Sequence, residues 1–213
     1  FNKRFLTLSI VFILGFFLLI LGLGATGLVD ETPPLFASAG RAMSHSGDWL
    51  TPKVNGILRL DKPPFYYWLM AIFYSIPANE SWDKLGSLSA RLPSALSTLF
   101  LMMMIADTVF CATENSKAKM QLSLIASLSF VLSPLIIIWS RTAVSDSLLC
   151  ATLGVSLLSF WRRFSSQDDR ICIIPWLFLS IGILTKGPVA FVIIFATLSS
   201  FLLTHRNWKK LLL

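Results

Sequence analysis

Four short segments of this chain place carboxylates and cations at the ends of apolar runs. A carboxylate can act as a general base toward a hydroxyl group, and a lysine or arginine can stabilise charge on a phosphate. The residues are Asp30 and Glu31 in DETPP, Asp61 and Lys62 in LDKPP, Arg141 and Asp146 in SRTAVSDS, and Lys186 in LTKGP. If the fold gathers them at one depth, they suit the binding of an amphipathic lipid phosphate and a reaction of its head group.

The composition indicates that membrane helices position these residues. The chain has 213 residues, of which 55% are hydrophobic and 14% are charged. A soluble domain carries roughly 25% charged residues and lacks repeated apolar runs of about 17 to 25 residues. The net charge of +7 is confined to short clusters between apolar runs, which a positive-inside bias explains better than a nucleic-acid partner. We therefore predict an integral membrane protein that does not bind nucleic acid.

The apolar runs predict an all-α fold, a polytopic transmembrane bundle of about six spans. The predicted spans are 5–28, 92–110, 120–139, 147–161, 171–184 and 189–204. The first run is too long for a cleavable signal peptide and is predicted to be a retained anchor. A further apolar stretch, 63–76, reaches only about 21 Å as a helix, short of the roughly 30 Å hydrocarbon core, so we place it along the interface.

The basic residues support this topology. If 63–76 lies along the interface, all the basic clusters except those within the first loop face the cytoplasm. The clusters are Lys3 with Arg4, Lys117 with Lys119, Arg162 and Arg163 with Arg170, and Arg206 with Lys209 and Lys210. The first outer loop, 29–91, then carries two juxtamembrane helices that begin near Pro34 and Pro63, since proline is tolerated in a first helical turn. All the candidate site residues map to the outer face of a plasma (inner) membrane.

Several of these charged residues also have structural explanations. Arg91 or Lys186, taken alone, is better explained as a helix-end residue that caps or snorkels. Asp107 is better explained as an interface residue than as part of a site. Asp30 is favoured as functional because the carboxylate, the helix-starting prolines and the KPP element occur within one loop.

Two other classes of protein compete with an enzyme. A fragment of a polytopic membrane transporter is the stronger, since broken helices such as LTKGP also surround transport sites. Those sites lie near the bilayer midplane, whereas the candidate charges here map to the outer rim. A non-catalytic scaffold is the third hypothesis, and it predicts that acidic substitutions in the first loop are harmless.

Four segments in a fixed order resemble a known family. They are DETPPLFASAGRAMSHSGDWLTPKVNGILRLDKPPFYYW, SARLPSAL, SPLIIIWSRTAVSDSLL and GILTKGPVA. Together they look like the N-terminal half of polyprenyl-phosphate-sugar glycosyltransferases of the glycosyltransferase-C superfamily, especially lipid A aminoarabinose transferases and protein O-mannosyltransferases. The resemblance implies that 1–213 is the N-terminal part of a transmembrane glycosyltransferase domain and is inactive alone.

The resemblance also implies an activity and its partners. The enzyme would move a sugar from a polyprenyl-phosphate donor to an acceptor hydroxyl on the outer side of the membrane, in mannosyl transfer, lipid A modification or protein glycosylation of the cell envelope. The acceptor is a lipid, a polysaccharide or a protein. The sequence does not specify the sugar or the acceptor.

Roles for individual acidic and basic residues follow from the same resemblance. Asp30 with Glu31 occupies the family's essential acidic position, and Lys62 matches the lysine that contacts the lipid phosphate. Asp61 stands where many relatives have glutamate, which leaves a metal or hydrogen-bonding role there open. Asp146, preceded by Arg141, matches the second acidic residue.

The implied reaction needs a general base but little help from an acid. The leaving phosphate monoester is stable as an anion, so only the acceptor hydroxyl needs a base. Glycoside hydrolysis, in contrast, requires a second carboxyl group. Asp30 is then the general base or acceptor-orienting residue, and Lys62 with Arg141 stabilises the phosphate. The remaining candidates are Tyr66 and Tyr67 beside the lipid, Asp146 on sugar or acceptor hydroxyls, and Asp30 and Asp61 as ligands should a divalent metal assist; no cofactor is certain.

Overall fold

Ten helices and one short β-hairpin make up the described part of the chain. The computed structural model describes residues 2–165 and 173–204. The helices are α1 Lys3–Leu19, α2 Thr32–Ser46, α3 Phe65–Tyr74, α4 Asn79–Trp82, α5 Ser87–Ala112, α6 Lys119–Val131, α7 Pro134–Ser140, α8 Ser145–Ser165, α9 Ile174–Lys186 and α10 Val189–Thr204. The hairpin pairs β1 Lys53–Val54 with β2 Ile57–Leu58 in antiparallel register.

Helix α5 is the central element, and it packs against α1, α3, α6 and α8. Its first backbone N–H groups have a dedicated acceptor, because the buried Asp83 carboxylate accepts hydrogen bonds from the amides of Leu88 at 3.1 Å and Ser89 at 2.7 Å. Such a carboxylate satisfies amides that a helix leaves without partners. Small buried residues, including Ala90, Ser94 and Thr98, allow neighbouring helices to approach closely.

An ion triad fixes one end of the bundle. Asp107, near the end of α5, accepts from Arg4 Nε at 2.6 Å and from Arg162 Nη1 at 2.9 Å. Lys119, at the start of α6, lies over the Phe110 ring at 5.5 Å. The basic residues at the start of α1, the end of α8 and the start of α6 therefore share one end, as predicted from their charge. Arg170, Arg206, Lys209 and Lys210, which the same prediction included, lie outside the described residues.

Loss of this triad is expected to destabilise the bundle. Asp107→Ala leaves two guanidinium groups side by side without a counter-charge, at a position where the Asp107 side chain is only 12% exposed. Because both arginines are partly exposed, we expect a loss of about 2 kcal/mol rather than the 3–5 kcal/mol of a fully buried pair. That corresponds to about 4–8 °C in the melting temperature of a cooperative unit of 150–250 residues and to a smaller shift in a longer protein, measured in detergent.

The exposed ion pair of Lys53 with Asp48 provides the control for this measurement. Lys53→Ala is expected to change the free energy of unfolding by less than about 0.5 kcal/mol, since pairs on the surface contribute little. A melting temperature for Asp107→Ala equal to that of the parent would show that the triad does not hold the bundle together.

The first and third predicted spans differ from the structure. Helix α1 ends at Leu19, not at residue 28, and the chain turns at Gly22, where φ is +71°. The predicted span 120–139 is two helices, α6 and α7, bent by 69°. The break lies at Ser133 and Pro134, because proline donates no backbone hydrogen bond and forces the residue before it into an extended conformation.

Span length is confirmed for one helix. Among the described residues, α5 alone is both long and apolar enough to cross a membrane, and α6 with α7 adds a second crossing if the bent pair is one span. The apolar helices α3, α9 and α10 have 10, 13 and 16 residues. The count of six spans therefore stays a prediction.

The loop 29–91, predicted to face outward, contains the two expected helices and one unexpected hairpin. Helices α2 and α3 begin at Thr32 and Phe65, close to the two proline pairs, while their placement along the membrane interface stays a prediction. The all-α prediction missed the hairpin, whose turn residues Asn55 and Gly56 have φ of 51° and 80°. This Asn-Gly pair is a strong sequence signal for a two-residue hairpin turn.

Candidate functional site

One hydrophobic cluster joins the segments that carry the predicted site residues. The Phe36 ring of α2 packs at 5.3 Å from the Tyr66 ring and 5.2 Å from the Tyr67 ring of α3. The close approach of the two helices depends on Gly40, where an added Cβ would lie 2.7 Å from the Met70 Cβ. Leu28, two residues before Asp30, packs against this cluster, and Ala143 and Leu148, on either side of Asp146, belong to it. The segments of Asp30, of Asp61 with Lys62 and of Asp146 thus pack around one core.

Buried hydrogen bonds connect this core to the start of α8. The Tyr66 hydroxyl lies 2.7 Å from Ser94 Oγ, and Ser94 donates to the Val144 carbonyl at 2.9 Å. Because Ser94 has a single hydroxyl proton, Tyr66 is the donor in their bond. Burial raises the pKa of Tyr66, which keeps that donor protonated. The chain from Tyr66 to Val144 fixes the backbone two residues before Asp146.

The two tyrosines are core residues, which corrects the prediction that they contact the lipid. Both side chains are fully buried, because residues 66, 67, 70, 71 and 74 form the inner face of α3 at helical spacing. Tyr66 is bonded to Ser94. Burial raises the pKa of Tyr67, although the nearby Arg59 opposes this effect. The Tyr67 hydroxyl has no hydrogen-bond partner among the described residues.

Asp30 and Glu31 lie exposed immediately before α2. Asp30 has a left-handed backbone with φ of 78°, and its Oδ1 accepts from the Glu31 amide at 2.8 Å. The two carboxylates stand at the N-terminal end of a helix whose first turn contains Pro33 and Pro34, where negative charge is favourable. Both side chains remain accessible to an acceptor.

Asp61 and Lys62 differ in how the fold holds them. Arg59 donates to Asp61 through Nε at 3.0 Å and Nη2 at 3.4 Å, and its guanidinium lies over the Phe36 ring at 5.4 Å. Sequence reasoning missed Arg59, which has no signal of its own beyond lying two residues before Asp61. In the part of the chain that the structure describes, no hydrogen bond or ion pair engages the Lys62 ammonium. Lys62 is therefore available to an anion.

Asp146 is paired with Lys186. Lys186 Nζ lies 2.5 Å from Asp146 Oδ1, and the bond joins the first turn of α8 to the last residue of α9. Asp146 also contributes to the wall of a largely apolar cavity of about 250 Å³ between α5, α6, α7 and α8. The cavity is lined by Thr98, Leu101, Phe130, Leu135, Ile136, Trp139, Asp146, Ser147 and Cys150.

Arg141 and Arg91 both bind the backbone that leads from α1 to Asp30. Arg141 donates through Nη1 to the Leu18 carbonyl at 2.9 Å and through Nη2 to the Leu21 carbonyl at 3.0 Å. Arg91 Nη1 donates to the Leu23 carbonyl at 2.7 Å. The terminal nitrogens of Arg141, predicted to meet the phosphate, are thus engaged with α1. The capping explanation of Arg91 agrees with this arrangement.

A metal site at Asp30 and Asp61 has no support from the donor set. The described residues contain no group of three or more His, Cys, Asp or Glu side chains able to hold a metal ion. Asp61 is already neutralised by Arg59. In the same described ranges, no hydrogen bond or ion pair joins Asp30 to Lys62 or to Asp146, although their segments pack on the same core.

Known proteins match this chain over most of its length. An uncharacterized protein of Aquifex aeolicus is 30% identical over 90% of this chain. An undecaprenyl phosphate-alpha-4-amino-4-deoxy-L-arabinose arabinosyl transferase of Wigglesworthia glossinidia brevipalpis is 28% identical over 98% of it. The chain spans 36% of the length of each of these two relatives.

A solved structure shares the fold. The crystal structure of ArnT from Cupriavidus metallidurans bound to undecaprenyl phosphate matches with a TM-score of 0.80 and 22% identity, over 95% of this chain and 37% of that one. The family described as dolichyl-phosphate-mannose-protein mannosyltransferase matches residues 61–213. Because that match covers well over half of its residues, the chain belongs to this family, within the glycosyltransferase-C superfamily.

Proposed function

We propose that this chain is the N-terminal part of an integral-membrane glycosyltransferase that moves a sugar from a polyprenyl-phosphate donor to an acceptor hydroxyl on the outer side of the membrane. The proposal rests on one observation: a carboxylate and a cation lie on segments that pack against the same hydrophobic cluster. An exposed carboxylate, Asp30, and an ammonium without a partner among the described residues, Lys62, are borne by segments that pack on the same cluster. Family membership supports the reaction class.

Lys62 binds the donor phosphate in this proposal. Its charge has no counter-ion within the described ranges, whereas Arg59 is neutralised by Asp61 and Arg141 donates to the carbonyls of Leu18, in α1, and Leu21, just after it. The phosphate therefore meets Lys62 and not Arg141. As the bond between the anomeric carbon and the phosphate oxygen breaks, the ammonium stabilises the charge that develops on the departing phosphate monoester.

Asp30 serves the acceptor. The acceptor oxygen attacks the anomeric carbon, a new glycosidic bond forms, and the hydroxyl proton passes to the Asp30 carboxylate. Glu31 lies beside it and adds negative charge that orients the acceptor. Asp146, held by Lys186, hydrogen-bonds hydroxyls of the sugar or the acceptor. The apolar cavity beside Asp146 suits part of the isoprenoid chain.

The location we propose is the inner membrane, with several spans and with the site facing outward. The ends of the bundle support this orientation, since Arg4, Lys119 and Arg162 lie at one end and Asp146 with Lys186 at the other. Basic residues favour the cytoplasmic side. The same separation argues against a transporter, whose charged residues would gather at the bilayer midplane.

The names of a relative and of the family suggest which donor and acceptor to propose. The named relative from Wigglesworthia is an arabinosyl transferase that acts with an undecaprenyl phosphate sugar, and the family description names dolichyl-phosphate mannose. We therefore propose either an aminoarabinosyl or a mannosyl donor, with lipid A, a polysaccharide or a protein as the acceptor.

The test supplies labelled polyprenyl-phosphate aminoarabinose and polyprenyl-phosphate mannose to the full-length protein with lipid A, polysaccharide and peptide acceptors, with and without chelator. Transfer of label from one donor, at the same rate in the presence of chelator, is the expected result. The segment 1–213 expressed alone serves as the control and is expected to transfer nothing. If the full-length protein consumes neither donor with any acceptor, the proposed function is wrong.

A further inference from the structure

The segment between α1 and Asp30 forms turns with local hydrogen bonds, such as that from the Leu23 amide to the Ile20 carbonyl at 3.1 Å, and side chains from other parts of the chain bind the rest of its backbone. Helix α1 ends at Leu19, and the following residues form turns that include Gly22, Gly24 and Gly27. A glycine-containing loop of this kind has many accessible backbone conformations, and fixing one of them costs conformational entropy. Some contact must hold the loop if the residue at its end is to have a defined position.

Arg91 supplies most of that contact, beside a longer hydrogen bond from the Ser87 hydroxyl to the Gly24 carbonyl at 3.4 Å. Its Nη1 donates to the Leu23 carbonyl at 2.7 Å and to the Thr26 carbonyl at 2.9 Å, and it lies 3.2 Å from the Thr26 hydroxyl. Its Nη2 donates to the Gly27 carbonyl at 2.8 Å. One planar group thus binds four oxygens spread over five residues, and the last of these residues lies three positions before Asp30.

The anchor behind Arg91 is rigid. Arg91 lies in the second turn of α5, and α5 is fastened at its other end through Asp107 to Arg4 and Arg162. At the near end, Asp83 caps the first turn of α5. The guanidinium therefore projects from a helix that is fixed at both ends.

The backbone on both sides of Asp30 must be held in place. Its φ of 78° is a left-handed conformation that residues other than glycine adopt only when the surrounding structure imposes it. Downstream, α2 is docked on α3 through Phe36 and Gly40. Upstream, Arg91 is the side chain that binds the backbone nearest to Asp30, while Arg141 binds farther back at Leu18 and Leu21.

We propose that Arg91 is the positioning residue for Asp30, and that its four contacts set where the carboxylate meets the acceptor hydroxyl. This inference rests on the proposed glycosyl transfer. Arg91 touches neither substrate nor reacting atoms, so its loss changes the turnover number and not the affinity for the donor, whose phosphate is bound by Lys62.

The kinetic arm compares Arg91→Gln with Arg162→Gln in the full-length protein. Both changes remove a guanidinium that binds oxygen atoms from another element, but at opposite ends of α5. Arg91→Gln is expected to lower kcat by about 10- to 100-fold with the donor KM within a factor of about three, since a displacement of about 1 Å can cost 10²-fold. Arg162→Gln is expected to lower the melting temperature and leave kcat within a factor of about two. Equal kcat for Arg91→Gln and the parent overturns the inference.

The second arm does not depend on activity. A nitroxide is attached at Val29→Cys, a position that is 77% exposed, in a background where Cys111, Cys150 and Cys172 are serine. The spin label is expected to become more mobile with Arg91→Gln and to be unchanged with Arg162→Gln. Unchanged mobility with Arg91→Gln overturns the inference, even if kcat falls.

The two arms separate failure of the inference from failure of the proposed function. If the parent transfers no sugar, the glycosyl-transfer proposal fails while the spin label still decides whether Arg91 holds the loop. If Arg91→Gln does not fold, Arg91→Lys replaces it in the kinetic and the spin-label experiments, because lysine keeps the charge but cannot reach all four oxygens. Its kcat is expected to lie between those of the parent and Arg91→Gln.

Discussion

Asp30→Asn in the full-length protein is expected to lower kcat for sugar transfer by about 10³-fold and to leave the fold intact. General-base catalysis contributes roughly 10²- to 10⁴-fold, and an amide cannot accept the proton of the acceptor hydroxyl. Folding should be preserved because the side chain is exposed and asparagine tolerates the left-handed backbone that Asp30 adopts. The Asn side-chain oxygen can also still accept from the Glu31 amide.

The measurement compares kcat and melting temperature for Asp30→Asn, the parent and Glu80→Gln. Glu80 is an exposed carboxylate of the same outer loop, in α4, and it takes no part in the proposed site. Glu80→Gln should retain the parental kcat. Near-normal transfer by Asp30→Asn would remove Asp30 from the mechanism, whatever the other residues do.

Lys62→Met is expected to lower kcat/KM for the lipid-linked donor by about 10²- to 10³-fold. Methionine keeps most of the length and apolar character of the side chain but removes the charge that faces the phosphate. Loss of one preorganised group that stabilises transition-state charge costs about this factor. The fold should tolerate the change, since no ion pair or hydrogen bond of Lys62 exists among the described residues.

Inhibition by free polyprenyl phosphate tests the phosphate contact directly. The parent should be inhibited more strongly by polyprenyl phosphate than by the uncharged polyprenol, and Lys62→Met should lose most of this preference. Lys84→Met is the control, because Lys84 is an exposed lysine of the same outer loop. An unchanged preference in Lys62→Met would assign the phosphate to a different cation.

The sequence predicted helices well and their ends poorly. The apolar run through residue 28 carries no mark of the end of α1 at Leu19, apart from glycines that transmembrane helices also tolerate. Around and after this end, backbone carbonyls accept from Arg141 and Arg91, residues about 70 to 120 positions away in the chain. No local pattern reports partners at that distance. The bend at Pro134, in contrast, had a local signal.

The assignment of the charged residues to a site stays a prediction, and the contacts that hold their segments together were not predicted. Asp30, Asp61 with Lys62, and Asp146 were identified by their types and by the ends of apolar runs, and the structure packs their segments on one core. Tyr66 and Tyr67 were assigned to the lipid because aromatic residues favour headgroups. The spacing of residues 66, 67, 70, 71 and 74 already indicated an inward helix face. Ser94, which links Tyr66 to Val144, has no sequence signal.

The fastening of α5 at both ends also restricts how the bundle can open. A shift of this helix along its axis would break the contacts of Asp107 at one end and those of Arg91 at the other. In the proposed function, the long isoprenoid of the donor must nevertheless enter from the side. The 69° bend between α6 and α7 borders the cavity beside Asp146, so we expect the isoprenoid of the proposed donor to enter there while α5 keeps its position.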